Sequence, residues 1–90
     1  MYMEIVKFNE FVIKLLEAKF EQSFIQSDLS PRHYSFSSQD FDFSFPVGLR
    51  DVESENSLRD KITRWLNRSS EEIKVNGHYL FDSTGNMYLP

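Results

Sequence analysis

Hydrophobic positions in the first quarter of the chain follow the period of a helix. Over residues 4–22, Ile5, Val6, Phe8, Phe11, Val12, Ile13, Leu15, Leu16 and Phe20 sweep an arc of about 220° at 100° per residue. Lys7, Glu10, Lys14, Glu17 and Glu21 crowd into a stripe about 80° wide. A helix resting on a sheet needs an apolar face of only about 100°. The pattern therefore predicts a helix covered on at least two sides, or one that reserves a face for another molecule.

The period then shortens. "SDLSPRH" (27–33) carries loop chemistry, with Ser27, Asp28 and Ser30 able to bond their own backbone and Pro31 unable to donate. "HYSF" and "FDFSFPV" alternate on either side of "SSQD", which predicts a hairpin. Tyr34 and Phe36 share one face of its first strand, and Phe41, Phe43 and Phe45 share one face of its second. Pro46 stops that strand or puts it at a sheet edge. After the charged stretch "VGLRDVESEN", Ser57-Leu58-Arg59-Asp60 reads as a helix start, followed at helical spacing by Ile62, Trp65 and Leu66. The signal ends near "NRSS".

At the C-terminus, Asn76-Gly77 sits between alternating segments, the composition of a two-residue hairpin turn. "DSTGN" predicts a second turn and "MYL" a last strand. The expected fold is α+β over a single compact domain, residues 1–90: helix, β-hairpin, helix and three-strand β-meander, with an antiparallel sheet packed by the helices. The alternating phenylalanines are then the inward face of a strand.

Composition supports a folded chain and narrows its chemistry. Nine Phe, four Tyr and one Trp supply bulk to a 90-residue core, each removing roughly 150–250 Å² from water when buried. Cysteine is absent, which removes disulfides, thiolate metal sites and a cysteine nucleophile. No signal-peptide pattern opens the chain, and the apolar run "FVIKLLEAKF" is broken by three charges. A soluble cytoplasmic protein is expected. The net charge of −4 disfavours nonspecific binding to nucleic acid or anionic membrane.

Catalytic and cofactor patterns are missing. His33 and His78 have no ligand-spaced partner, so no metal is expected. An acid–base pair would have to join His33 to Asp40 or Asp42 across the first hairpin, and no residue pattern favours it. No serine lies in a nucleophile elbow, and Gly48, Gly77 and Gly85 are too scattered to cradle a phosphate. Asp82, Thr84 and Asn86 lack the closing glutamate of a calcium loop. The chain reads as a non-enzyme without a cofactor.

Two surfaces remain as candidates. Asp40, Asp42, Asp51, Glu53 and Glu55 lie near one another in sequence and would suit a basic partner, including one that normally binds nucleic acid. Lys61, Arg64 and Arg68 form a basic stripe beside Trp65 on the second helix, suited to phosphates or to an acidic protein surface. The leading expectation is a small acidic interaction module that acts sterically on a larger protein or complex. Phage-encoded inhibitors of host defence complexes and immunity proteins share its size and charge. A nucleic-acid-associated regulator using the basic stripe is the alternative, and a homodimer through the first helix is a further expectation.

Overall fold

The structure, a computed structural model, describes residues 3–89. Helix α1 (Ile5–Phe20) leads into strands β1 (Ile25–Leu29), β2 (His33–Ser37) and β3 (Phe41–Pro46). A 3₁₀ turn (Val47–Arg50) and helix α2 (Glu55–Arg68) follow, then β4 (Gly77–Phe81) and β5 (Met87–Tyr88). The five strands form one sheet in the order β1-β2-β3-β4-β5. The fold is α+β. Among the described residues no helix is long and apolar enough to cross a membrane.

The sheet is mixed rather than antiparallel, which corrects the expected meander. β4 runs parallel to β3, pairing Phe41 with Gly77 and Phe43 with Tyr79. Parallel neighbours need a long crossover, and α2 supplies it. Asn76 does adopt a left-handed backbone, at φ 68°. It closes no hairpin, however: its N–H donates to the Asp40 carbonyl, and Gly77 N–H donates back to Lys74 O at 3.1 Å. Those bonds deliver the chain beside the start of β3, so β4 sets out in the same direction. The Tyr79 hydroxyl meets the Lys74 N–H and the carbonyls of Lys74 and Glu72, holding residues 72–74 as a loop where a strand was expected.

The missing strand is replaced at the other edge. β1 was expected to be loop, and its five residues show no apolar alternation; Ile25 and Leu29 are both exposed. β1 is antiparallel to β2 with a bulge between Gln26 and Asp28, a common feature of sheet edges. Loop chemistry holds only at Ser30–His33, where Ser30 Oγ accepts the His33 N–H at 3.0 Å. The second helix also starts earlier than Ser57: Ser54 is the cap, its Oγ accepting the Ser57 N–H at 3.1 Å. The β2–β3 hairpin matches its expected loop, with Pro46 ending β3.

Both helices cover one face of the sheet. Tyr34 lies opposite Phe45, and Phe36 opposite Phe43, so their side chains share that face with Tyr79 and Phe81. α1 enters through Phe8 against Tyr34 (5.8 Å between rings) and Phe20 against Phe43 (5.2 Å). α2 enters through Trp65 stacked on Phe81 at 6.0 Å. Phe43 is the hub, touching the rings of Phe20, Phe24, Phe41, Phe45, Tyr79 and Phe81. The apolar arc of α1 divides accordingly. Phe8, Val12 and Leu16 are fully buried, Phe11, Leu15, Ile13 and Phe20 are half-buried shoulders, and Val6 lies in solvent.

Candidate docking groove between the helices

Three polar or cation–ring contacts among the described residues join the helices, each between residues 48 positions apart: Lys7 with Glu55 (3.2 Å), Arg59 over the Phe11 ring (5.3 Å), and Lys19 with Asn67 Oδ1 (2.7 Å). A constant offset means that the two helices run side by side in the same direction. Their N-terminal ends therefore meet at one end of the molecule and their C-terminal ends at the other. Glu4 at the α1 cap and Glu55 in the first turn of α2 face the positive dipole ends. Lys19 and Arg68 occupy the last turns.

Between the second and third contacts the helices leave a groove of about 480 Å³. Phe11, Leu15 and Ala18 of α1 and Thr63 of α2 line it, and Lys14, Lys19, Arg59 and Asn67 stand around its mouth. Two helical turns separate the crossing contacts, so the opening is about 12 Å long. The Arg59–Phe11 contact and the Lys19–Asn67 hydrogen bond close the two ends. The result is an open-topped apolar depression with a cationic rim.

The sequence-predicted acidic residues do not form one patch. Asp40 lies in the β2–β3 turn, accepting from Gln22 Nε2, and Asp42 lies on the helix-free face of β3. Asp51, Glu53 and Glu55 follow the far end of β3, beyond a six-residue strand that spans roughly 17 Å. The basic stripe is real as a row but sits elsewhere than the groove. By helical rotation Lys61, Arg64 and Arg68 lie on the flank of α2 turned away from α1. Arg68 there donates to the Thr84 carbonyl at 3.3 Å. Trp65 is 3% exposed and belongs to the core, so its ring offers no face to a partner.

The helix-free face carries the protein's histidine pair. Asp42 accepts from Ser37 Oγ (3.0 Å) and lies 2.8 Å from His78 Nδ1, with the Ser27 hydroxyl 2.9 Å from Ser37. A nucleophilic triad needs histidine between serine and carboxylate. Here the carboxylate is in the middle, between Ser37 and His78, so the order is not that of a triad. His33 stands opposite Pro46, at the other end of the hairpin from Asp40 and Asp42, so the His33 pairing that no residue pattern favoured does not form. Among the described residues no group of three or more His, Asp or Glu side chains converges as a metal site.

No protein-family model, curated protein or solved structure matches this chain. The groove must be read from its own residues. Sequence reasoning missed Phe11, Leu15, Lys14 and Arg59 as a set, because they come from two helices whose alignment no local pattern encodes. The surplus apolar arc of α1 was the signal that bore on them: Phe11 and Leu15 are its shoulder, left half-buried beside α2.

Proposed function

We propose that the protein is a non-catalytic interaction module that docks on a larger protein through the α1–α2 groove and acts sterically, blocking or recruiting it. The observation that supports this reading is the half-buried floor of Phe11 and Leu15, ringed by Lys14, Lys19 and Arg59. Apolar pockets edged by arginine are where binding energy concentrates at protein interfaces. A cysteine-free chain suits a reducing compartment, and an inhibitor of the phage or immunity-protein kind would work there.

Partner capture from the cell that makes the protein tests the reading. Wild type is compared with Leu15→Glu, Arg59→Glu and a helix-free-face control, Ser35→Ala. Proteins retained by wild type and the control but lost from both groove variants support it. Equal capture by all four removes the groove from consideration.

A further inference from the structure

We infer that the occupant of the groove is a short acidic segment of a partner protein, carrying a large apolar anchor between carboxylates. This rests on the docking role proposed above and adds the chemistry of the partner.

The floor requires an apolar group. Phe11, Leu15 and Ala18 are the side chains at its base, and water above them gains little from Thr63 alone. The rim requires negative charge. No carboxylate of a described residue pairs with Lys14, Lys19 or Arg59: Lys19 bonds the neutral Asn67, and Arg59 bonds the neutral Asn56 at 2.9 Å. Glu10 and Glu55 line the adjoining depression with Lys14 and Arg59 without forming an ion pair with either, Glu55 being paired with Lys7. The helix dipole accounts for only one of these cations. Lys19 is in the last turn of α1, where positive charge is favoured. Lys14 is mid-helix, and Arg59 lies in the N-terminal half of α2, where the dipole does not favour a cation. A protein of net charge −4 has thus gathered around an apolar floor three cations that form no ion pair with a described residue.

Other occupants fit less well. A nucleic-acid backbone would meet the cations but place no apolar group on the floor, and the excess of carboxylates repels it. Among the described residues a second copy offers no continuous apolar ridge: the exposed large apolar residues are divided among α1 (Val6), β1 (Ile25, Leu29) and the segment from Val75 to Leu89 (Val75, Tyr88, Leu89). A partner segment with carboxylates on both sides of a leucine or phenylalanine satisfies floor and rim together.

The test uses the full chain, isotope-labelled for amide NMR, and a fluorescent peptide with a leucine pair between glutamates. Control peptides replace the glutamates by lysine or the leucines by serine, and a single-stranded oligonucleotide serves as competitor. The expected result is saturable binding of the glutamate–leucine peptide alone, with amide shifts centred on Phe11, Leu15, Ala18, Thr63 and Asn67. Affinity should fall with rising salt, since exposed charges are screened beyond about 10 Å at 0.1 M. Lys14→Glu and Arg59→Glu should each weaken binding by about tenfold. Lys14 is exposed and makes no hydrogen bond or ion pair with a described residue, so its variant is expected to fold.

Equal binding of the lysine or serine peptide, displacement by the oligonucleotide, or a concentration-dependent dimer by light scattering would each overturn the assignment. If no peptide binds while groove variants still lose a captured partner, the docking role stands and the acidic-segment assignment fails. If the variants lose no partner either, both fail.

Discussion

The two faces of the sheet are built from the same alternation and do opposite things. On β3, Phe41, Phe43 and Phe45 point toward the helices, while Asp42 and Ser44 point away. The helix side is a continuous field of rings, with Phe45 and Phe81 stacked at 5.2 Å and 4° and Trp65 laid over Phe81. The other side is a ladder of short polar groups, with Ser35 and Ser44 hydroxyls 2.7 Å apart and Ser37 leaning on Asp42. Rings gain stability by excluding water and touching one another. Hydroxyls on an open face exchange one hydrogen bond for another at little net gain. Stability should therefore sit almost wholly on one side, while the polar side faces water at little net gain.

The largest loss is expected at the hub of the aromatic face. Phe43→Ala should cost about 3–5 kcal/mol in denaturant unfolding, because it empties a fully buried site shared by six rings. A loss under 1 kcal/mol would mean that the aromatic face is not the main source of stability.

Gly85→Ala comes next. Gly85 has φ +86°, and a Cβ there would meet the Trp65 indole at 2.3–2.6 Å, against ring atoms that cannot swing aside. Strain plus overpacking should cost about 2–4 kcal/mol. An unchanged melting midpoint would show that the β4–β5 turn yields freely. It would also loosen the argument for Trp65 as a fixed core residue.

On the polar face, Ser35→Ala should cost about 1 kcal/mol or less, since Ser44 can turn to water. His78→Ala should cost at most about 1 kcal/mol, its pair with Asp42 being largely exposed. A cost near that of Phe43→Ala at either position would abolish the contrast between the faces.

The smallest effect is confined to acid. The Thr84 hydroxyl, followed by the N–H groups of Asn86 and Thr84 and the Tyr88 hydroxyl, holds the Asp82 carboxyl down to about 2. A depressed carboxyl stabilises the fold above its ordinary unfolded value and loses that contribution as pH falls through its folded one. Asp82→Asn should flatten stability against pH between about 4 and 2 and leave other titrations in place. An identical acid limb in the variant would assign that loss to other carboxylates.

The helix–helix groove belongs to neither face, and it shows where local pattern stops being informative. The α1 arc made its surplus apolar shoulder visible in one segment. Trp65 was legible as an aromatic at a helical position, but its burial depended on β4 arriving beneath it. Lys61, Arg64 and Arg68 share a flank, as helical rotation requires. That they face away from α1, while Arg59 faces toward it, depends on which side α1 occupies. The acidic run from Asp40 to Glu55 looked like a cluster because sequence distance was short, yet a strand carries its halves to opposite ends.

The chain by itself determined its helices, the β2–β3 hairpin and the inward set of phenylalanines, because each follows from periodicity within one segment and from the cost of leaving rings in water. Tertiary structure decided the strand partners and the groove. β1 has too little apolar alternation to declare itself and is a strand because β2 offers it hydrogen bonds. β4 is parallel because Asn76 is tied to Asp40 and α2 spans the return. Phe11 and Arg59 meet only because two helices lie side by side at an offset of 48 residues, a relation set by how both pack on the sheet rather than by any neighbouring residue.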